Sequence, residues 1–332
     1  MKNLLIIGGT NFIGRNLLNE LSSQTQYKIT LFNRGITNPD VFPEIPRIIG
    51  DRNTDDVAQL SQQKWDLVID LSCYFPNSLE QVLQHIGEVE RYIFVSTCSV
   101  YDSENLTILK NENAPLLSCS EEQKIDTTPS TYGQRKVACE AILEQSNLDY
   151  LILRPALVYG KYDNTNRLYY WLEQVEKSRP LLLPNGGKSV FSVTYVKDLV
   201  HILVESLTIE MPQERTFNMT TTTRTSILQI VDATCESLKK EPKRWEVTPA
   251  FLHQNEVGQW MDMPLWLDGD HFTWSNKRLL NTFKTPLVDF EESIEATITF
   301  YKKQNYPKPI YGISNDKKEA LIKTLGNSSL IN

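Results

Sequence analysis

The sequence predicts a doubly wound α/β fold, in which helices cover both faces of a parallel sheet. Strand-like and helix-like segments alternate over the first 160 of the 332 residues, which is typical of βαβ units. The strand-like segments are almost continuously apolar, and such strands are usually buried on both faces of a sheet. Beyond residue 160 the alternation loosens, so we expect a smaller second lobe there.

Six strands and three helices are predicted in the alternating part of the chain. The strands cover residues 3–9, 27–32, 46–50, 66–71, 91–97 and 150–155. A helix with apolar side chains at helical spacing begins at Phe12, a second covers residues 78–86, and a third lies near residues 131–145. Further on, residues 167–177 are predicted as an aromatic helix, residues 191–207 as a strand that continues into a helix, and residues 288–303 as an amphipathic helix.

The composition excludes several classes of protein. Hydrophobic residues make up 40% of the chain and charged residues 23%, close to ordinary globular domains. The longest apolar runs, such as residues 4–7, are too short to span a bilayer, and the N-terminal run lacks the cleavage site of a signal peptide. The formal net charge is −7, whereas a binder of nucleic-acid backbone is usually basic. The five cysteines are scattered and form no CxxC pair, so we expect a cytoplasmic protein without a disulfide framework or a metal site.

A glycine-rich turn, GGTNFIG, connects the first strand to the first helix. Glycines at such a turn let backbone N–H groups approach a pyrophosphate, and the helix N-terminus adds partial positive charge. We expect a dinucleotide to contact Gly8, Thr10, Asn11, Phe12, Ile13 and Gly14. Asn11 stands where related loops carry a middle glycine, and asparagine tolerates left-handed backbone angles well. The alternative is a strand-to-helix turn that binds no ligand.

The end of the second strand indicates which nicotinamide dinucleotide is bound. An NAD site places a carboxylate there for the ribose hydroxyls. This chain has Asn33 followed by Arg34, and the planar guanidinium of arginine suits the 2′-phosphate of NADP, so we expect NADP to be favoured over NAD. Asp51 and Arg52 follow the third strand and are further candidate contacts, with Asp51 facing the adenine amino group. For Arg34 and Asp51 the alternative is an ordinary surface position.

Tyr132 and Lys136 lie four residues apart at the start of the third helix, so they share one helix face. A tyrosine has a pKa of about 10 in water, and lowering it to about 7 takes roughly 4 kcal/mol. We expect the Lys136 ammonium, in a partly dry site, to supply much of this and a cationic nicotinamide to add to it. The alternative is an exposed helical pair without a function.

The fifth strand ends in the small polar residues Ser96, Thr97, Cys98 and Ser99. Ligands of doubly wound sheets bind outside the carboxyl ends of the strands. A hydroxyl group there can hydrogen-bond a substrate oxygen and orient it for proton transfer. The alternative is that these side chains only cap the strand and form a turn.

Together these motifs resemble the short-chain dehydrogenase/reductase superfamily and, within it, the NAD-dependent epimerase/dehydratase family. The matching segments are GGTNFIG, STCSVY, YGQRK and LRPALVYG, followed by FSVTYVKDLV and TFNMTTT. They occur in the family's order and spacing over residues 1–305. The resemblance implies a Rossmann-type fold, a bound NAD(P), and hydride transfer at a carbon that bears a hydroxyl or carbonyl group in a small molecule such as a nucleotide sugar.

The resemblance also implies roles for individual residues. Tyr132 corresponds to the catalytic acid/base, and Lys136 to the lysine that lowers its pKa and holds the nicotinamide ribose. Thr97 corresponds to the hydroxyl residue that orients the substrate oxygen, with Ser99 as the fallback. Pro155, in the LRPALVYG segment, is expected beside the cofactor.

The subclass is indicated by a departure from the dehydratases of the family, which place Asp-Glu directly after the catalytic threonine. Cys98 and Ser99 stand there instead, so elimination of water is disfavoured relative to reduction or epimerisation. Cys98 is expected as a small buried residue. The chain looks closest to atypical, isoflavone-reductase-like bacterial members. The alternative is a non-catalytic relative of the same fold that binds RNA or senses a dinucleotide.

These assignments divide the chain into three parts. Residues 1–160 and 191–219 are expected to form the dinucleotide-binding domain, residues 161–190 and 220–310 a substrate-binding lobe, and residues 311–332 a C-terminal appendage. In the lobe, His271 is a candidate substrate contact, with packing as the alternative. The resemblance also implies a homodimer formed through helices of the dinucleotide-binding domain.

Overall fold

A seven-stranded parallel sheet is the central layer of the computed structural model, which describes the backbone of residues 1–328 and the side chains of residues 1–326. The strands are β1 (Lys2–Ile7), β2 (Tyr27–Asn33), β3 (Arg47–Ile49), β4 (Leu67–Asp70), β5 (Arg91–Val95), β6 (Tyr150–Pro155), β7 (Leu157–Tyr159), β8 (Leu181–Pro184), β9 (Val190–Tyr195), β10 (Thr216–Met219), β11 (Thr222–Ser226) and β12 (Arg244–Val247). The helices are α1 (Phe12–Leu21), α2 (Pro76–His85), α3 (Glu121–Ile125), α4 (Tyr132–Glu144), α5 (Arg167–Glu176), α6 (Val196–Ser206), α7 (Ile227–Leu238), α8 (Pro249–Gln254), α9 (Lys277–Thr282), α10 (Phe290–Lys302) and α11 (Asn315–Ser328). Short 3₁₀ segments cover Asp55–Gln62, Cys98–Val100, Pro129–Thr131 and Asn185–Gly187.

The strand order of the main sheet is β10-β6-β5-β4-β1-β2-β3, and every pairing in it is parallel. The chain builds one half outward from β1 to β3 and then returns to add β4, β5, β6 and β10 on the other side. The winding therefore reverses between β1 and β4, where Ile7 pairs with Asp70. Such a reversal opens a crevice at the carboxyl ends of the two strands. The predicted doubly wound fold is confirmed.

Both faces of the main sheet are buried, which explains the continuous apolar runs of its strands. Leu4 and Ile6 pack in a cluster with residues of α1 and α6 on one face. Leu5 and Ile7 pack in a second cluster with residues of α2 and α4 on the other face. Full burial of each such side chain stabilises the fold by about 1.5–3 kcal/mol.

The seventh strand, β10, and helix α7 are not among the predicted elements. β10 carries Asn218, whose buried side chain accepts a hydrogen bond from the Tyr101 hydroxyl (2.6 Å). A buried polar side chain interrupts the apolar run from which a strand is predicted. α7 lies in a segment without an apparent strand–helix rhythm, although the Ser226 hydroxyl caps it by accepting a hydrogen bond from the Gln229 N–H (3.2 Å).

Two small sheets, β11-β9-β7 and β12-β8, lie outside the main sheet. In α5, the aromatic residues 169–171 are buried, so this helix belongs to the core. The predicted appendage contains α11, which buries Lys318 and Leu321, whereas its residues 329–332 lie outside the described part of the chain. The division into a dinucleotide-binding domain and a substrate lobe stays a prediction. None of the helices within residues 1–328 is long and apolar enough to cross a bilayer.

Candidate active site

The glycine turn after β1 borders a cavity of about 490 Å³, here called the glycine-loop cavity. Its walls are mainly residues 7–14, 32–37, 50–53, 71–72 and 74–75, which lie at or after the carboxyl ends of four strands. Gly8 and Gly9 adopt φ angles of +102° and +96°, which residues with a side chain rarely adopt. A Cβ atom on Gly14 would lie 2.4 Å from the Cα atom of Gly9, so α1 packs directly against the turn. The glycine turn and the start of α1 therefore fit a dinucleotide, because the pyrophosphate of a dinucleotide is bound by protein backbone that approaches it closely.

Asn11 immediately precedes α1, and its backbone is extended (φ −114°, ψ 174°). The expectation that asparagine serves here for its tolerance of left-handed angles is therefore wrong, because the positive φ angles fall on Gly8 and Gly9. The Asn11 side chain caps no N–H group of α1, so it does not compete with a ligand for those donors. Thr10 and Phe12 on either side are buried.

Asn33 at the end of β2 holds the neighbouring loop against the glycine turn. Its Nδ2 donates to the Gly8 carbonyl (2.9 Å), and its Oδ1 accepts from the Gly35 N–H (2.9 Å). Arg34 lies exposed on the cavity wall. Residues 33–37 contain no carboxylate, so this part of the wall offers a cation and no acid to a ligand.

Asp51 and Arg52, which follow Gly50 at the end of β3, are partly engaged within the protein. Asp51 Oδ1 accepts hydrogen bonds from the backbone N–H of Asn53 (2.9 Å) and from its side chain (2.7 Å). Arg52 is buried, and its Nη1 lies 2.7 Å from Oδ1 of Asp70. Burial acts to raise the pKa of Asp70, but Arg52 and the hydrogen bond from the Tyr92 hydroxyl (2.7 Å) hold it below its usual value. Nε and Nη2 of Arg52 are buried without a protein partner, so these donors remain unsatisfied within the protein.

The turn after β5 places Thr97 beside the start of α4. The Thr97 hydroxyl accepts a hydrogen bond from the Ser99 N–H (3.1 Å) and donates one to the Ser99 hydroxyl (3.1 Å). Gly133 packs so closely on this turn that a Cβ atom there would lie 2.2 Å from the Ser99 carbonyl oxygen. Tyr132 therefore lies next to Thr97, and both side chains line the same cavity.

Tyr132 has its pKa shifted upward, in contrast to the expected lowering. Burial raises the pKa of Tyr132 to about 12, and the Thr97 hydroxyl acts in the opposite direction. Lys136, the expected source of a lower pKa, is not among the main influences on Tyr132, and the cation that acts to lower this pKa is Arg135. Since a phenolate in a poorly solvated site is costly, the neutral phenol is the stable form at neutral pH. The phenol is therefore available as a proton donor.

Lys136 lies one turn further along α4 and is 2% exposed. Its ammonium group donates to the carbonyls of Cys73 (3.0 Å) and Val95 (2.9 Å) and lies 3.9 Å from the centroid of the Phe94 ring. These bonds use two of its three N–H donors. They hold the charge between the carboxyl ends of β4 and β5 and leave one donor over.

A second cavity, of about 350 Å³, adjoins Tyr132 and is here called the lid cavity. Thr97, Ser99 and Tyr132 line one side, and the lid, residues 260–274, lines another through Trp260, Leu267, His271, Phe272 and Trp274. The Tyr74 ring, centred 6.2 Å from the Tyr132 ring, lines the glycine-loop cavity. The two cavities therefore approach each other at Tyr132, and the lid cavity has the size of a small-molecule site.

The predicted site residues divide between these two cavities. The glycine loop, Asn33, Arg34, Asp51 and Arg52 line the glycine-loop cavity. Pro155 lines the lid cavity instead of the expected cofactor side, and Lys136 lies behind the walls of both. Cys98 is a packing residue as expected: it is buried, its thiol contacts the Arg154 carbonyl (3.1 Å), and burial raises the pKa of the thiol.

Sequence reasoning misses a buried polar network beside the lid cavity. Arg154 pairs with Glu140 (2.6 Å) and donates to the Tyr101 hydroxyl (2.9 Å), which in turn donates to Asn218 (2.6 Å). The four side chains come from α4, β6, β10 and the turn after β5, so no local pattern connects them. The available signal is weak: Tyr101, Arg154 and Asn218 fall within three of the family-like segments.

The parallel sheet, its strand order and the glycine turn define a Rossmann-type α/β protein. The model of the NAD dependent epimerase/dehydratase family matches residues 4–220. The chain belongs to this family, as the resemblance of its motifs predicts.

Two relatives share part of the sequence. The chloroplast stem-loop binding protein of 41 kDa b from Arabidopsis thaliana is 27% identical over 234 residues, which cover 66% of this chain and 58% of that protein. The UDP-glucose 4-epimerase of Vibrio cholerae is 23% identical over 228 residues, which cover 61% of this chain and 66% of that enzyme. The chain therefore matches less than two thirds of the length of either relative.

Solved structures of sugar-nucleotide enzymes share the fold. A mutant UDP-glucuronic acid 4-epimerase from Bacillus cereus, in complex with a fluorinated UDP-glucuronic acid and NAD, has a TM-score of 0.70 at 18% identity and covers 91% of this chain and 99% of that one. The UDP-glucose 4-epimerase of Thermotoga maritima with UDP-glucose also has a TM-score of 0.70 at 18% identity, and the match covers 91% of this chain and 99% of that one. The dTDP-glucose 4,6-dehydratase of Bacillus anthracis with NAD has a TM-score of 0.70 at 18% identity, with 93% and 100% covered.

Proposed function

We propose that the protein is an NAD(P)-dependent oxidoreductase or epimerase that acts at a carbon bearing a hydroxyl or carbonyl group in a small molecule, with nucleotide sugars as the first candidates. One observation carries the proposal. Tyr132 and Thr97 present their hydroxyl groups together on the wall of the lid cavity, at the point where that cavity approaches the glycine-loop cavity. A substrate in one cavity would thus meet both a proton donor and a cofactor held in the other.

The side chains can perform the proton transfer in both directions. A bound nicotinamide dinucleotide would supply or accept the hydride. During reduction, the Thr97 hydroxyl orients the carbonyl oxygen and the Tyr132 phenol gives that oxygen its proton as the alcohol forms. During oxidation, the phenolate removes the proton from the alcohol. The third N–H donor of Lys136 is suited to stabilise the negative charge and hold a cofactor hydroxyl.

We further propose reduction or epimerisation in preference to dehydration. Elimination of water needs an acid and a base next to the reacting carbons. Cys98 directly follows Thr97, but its thiol is buried and its pKa is raised by that burial, and Ser99 offers only a hydroxyl group. These observations support an active site whose chemistry is confined to Thr97, Tyr132 and Lys136.

We also propose that NADP is favoured over NAD. The wall near the end of β2 presents the exposed Arg34 and no carboxylate, and the Asn33 amide oxygen is used by Gly35. Arg34→Ala should weaken NADPH binding about tenfold or more, since a charge-assisted hydrogen bond is worth about 1.5–3 kcal/mol. NADH binding should change little. Arg15→Ala, which removes an arginine of α1 outside the cavity wall, is the control, and equal losses for both cofactors would contradict the proposal.

The catalytic proposal is tested with Tyr132→Phe. Turnover of UDP-glucose, UDP-glucuronic acid and a panel of small ketones is followed by nicotinamide absorbance and by chromatography of the epimers. We expect the variant to lose turnover by about 100-fold or more, whereas calorimetry should show unchanged cofactor affinity. Tyr74→Phe alters the neighbouring, half-exposed ring and should retain turnover. Undiminished turnover in Tyr132→Phe would remove the assigned acid.

A second candidate function, RNA binding, is favoured by the sequence identity with the chloroplast stem-loop binding protein. The net charge of −7 weighs against it, because binding to a phosphate backbone is usually carried by basic side chains. A gel shift with a stem-loop RNA that is lost at higher salt and unaffected by Tyr132→Phe would favour this candidate over the enzyme.

A further inference from the structure

Lys110 has a main chain that is fixed between the lid and the main sheet. Its N–H donates to the Thr273 carbonyl (3.0 Å), and its carbonyl accepts from the Ser275 N–H (2.9 Å) and from the Asn218 side chain (3.1 Å). The residue therefore has a defined position on the wall of the lid cavity. No motif or spacing in the sequence points to this residue.

The Lys110 ammonium group is buried without an acidic partner. Lys110 is only 3% exposed. Its ammonium group donates hydrogen bonds to the carbonyls of Thr107 (3.0 Å) and His271. None of the described carboxylates forms an ion pair with it. Carbonyl dipoles satisfy two of its three N–H donors but do not neutralise its charge. Burial accordingly lowers the pKa of Lys110 from its ordinary value, while the more distant Asp102 acts in the opposite direction.

The charge balance of the lid cavity makes this lysine distinctive. Among the residues that line the cavity, Lys110 is the one permanent cation and Asp102 the one acid. His271 also lines it, but burial and the adjacent Lys110 charge lower the pKa of His271, so it is neutral at neutral pH. The rest of the wall is largely aromatic and aliphatic, with Trp260 and Trp274 contributed by the lid.

We propose that Lys110 is a specificity-determining residue that binds an anionic oxygen group of the substrate, a carboxylate or a phosphate. The unsatisfied third N–H donor and the uncompensated charge both favour such a partner, and a charge-assisted hydrogen bond is strong where water is excluded. The aromatic wall would cover an apolar or planar part of the same molecule. This inference rests on the proposed function in one respect, namely that the lid cavity is the substrate site.

The test measures binding and needs no turnover. Calorimetry in the presence of NADP⁺ compares three probes: UDP-glucose, which carries phosphates; 3-phenyllactate, which carries a carboxylate; and 3-phenylpropane-1,2-diol, which replaces that carboxylate by a neutral hydroxymethyl group. We expect Lys110→Met to weaken at least one anionic probe about tenfold or more and to leave the diol unchanged. Loss confined to phenyllactate identifies a carboxylate site, and loss confined to UDP-glucose identifies a phosphate site.

Two further variants distinguish a role of Lys110 in anion binding from a purely structural role, in which its ammonium group only holds the lid through the His271 carbonyl. Lys110→Gln keeps an N–H donor for the carbonyls but carries no charge, so it should lose the anionic probe. Lys110→Arg should retain most of the affinity. Equal weakening of all three probes, unchanged binding in Lys110→Gln, or wild-type protein that binds neither anionic probe would overturn the proposal. Tyr132→Phe should bind the probes normally, so a failed catalytic assignment stays distinguishable from a failed Lys110 assignment.

Discussion

The carboxylate of Glu140 and the guanidinium of Arg154 form a buried ion pair, with Oε2 2.6 Å from Nη2, that joins α4 to β6. The two residues are 1% and 2% exposed. Glu140 lies one helical turn beyond Lys136 and two beyond Tyr132, so the pair anchors the helix face that carries both candidate catalytic residues. Burial acts to lower the pKa of Arg154, but Glu140 outweighs it and the guanidinium stays charged.

We expect Glu140→Gln to lower the free energy of unfolding by about 3–5 kcal/mol, because it leaves the Arg154 charge buried without its counter-ion. Urea unfolding followed by circular dichroism measures the change. Glu144→Gln removes an exposed carboxylate of the same helix and should change stability by no more than about 0.5 kcal/mol. Similar losses in the two variants would mean that the ion pair contributes nothing specific.

The sequence predicts the parts of the site that depend on topology. Residues at the carboxyl ends of parallel strands share one edge, so the positions of the glycine loop, Asn33, Asp51 and Thr97 follow from the strand assignments. Tyr132 follows from its helix and from the resemblance to the family. In these cases a local pattern and a general rule of sheet architecture are sufficient.

Other properties of the site arise from residues distant in the chain and are not predicted. Arg52 is held by Asp70, and Lys110 by the lid, through pairings that no periodicity indicates. The direction of the Tyr132 pKa shift depends on how much of the phenol the whole fold buries. A helical spacing of four residues places Lys136 on the same face but does not show that its ammonium bonds main-chain carbonyls.

Gly14→Ala should disrupt the glycine-loop cavity. The added methyl group would lie 2.4 Å from the Gly9 Cα atom and 2.5 Å from the Gly9 carbonyl oxygen. Because both are backbone atoms, which cannot rotate away as a side chain can, α1 must move away from the turn. We expect a loss of about 1–3 kcal/mol in stability together with loss of dinucleotide binding measured by calorimetry. Gly258→Ala, where the methyl group meets only Asp262 Oδ2 at 3.6 Å, should change neither. Normal cofactor affinity in Gly14→Ala would contradict this account of the glycine turn.

Lys318 should make stability depend on pH in the alkaline range. Burial, followed by the nearby Arg179 charge, lowers its pKa from 10.5 to about 8. Between these two values the unfolded lysine holds a proton that the folded one has lost, so this residue adds stability as the pH rises. The wild type should therefore gain stability relative to Lys318→Met from pH 8 to pH 10.5. Lys323→Met changes an exposed position on the same helix, so its stability in urea unfolding should depend on pH as that of the wild type does. If the two variants showed the same pH dependence of stability, Lys318 would be excluded as its source.

The Thr97 hydroxyl next to Tyr132 influences the pH dependence of the proposed oxidation. The phenolate is the form that accepts the proton from an alcohol, so the rate should rise with pH as Tyr132 ionises. Burial alone favours the neutral phenol, and the Thr97 hydroxyl lowers the pKa by stabilising the phenolate. Removing that hydroxyl should therefore raise the pKa and shift the ascending limb of the profile toward higher pH.

Thr97→Val should shift this limb in kcat/KM for oxidation toward higher pH, because it removes the hydroxyl group that acts to lower the pKa of Tyr132. The comparison is made with wild-type protein saturated with NADP⁺. Ser99→Ala removes the hydroxyl that Thr97 donates to but retains the Thr97 hydroxyl group beside Tyr132, so its limb should stay near that of the wild type. A shift in Ser99→Ala without one in Thr97→Val would transfer the orienting role to Ser99, since only the residue whose hydroxyl stabilises the phenolate can change its ionisation so directly.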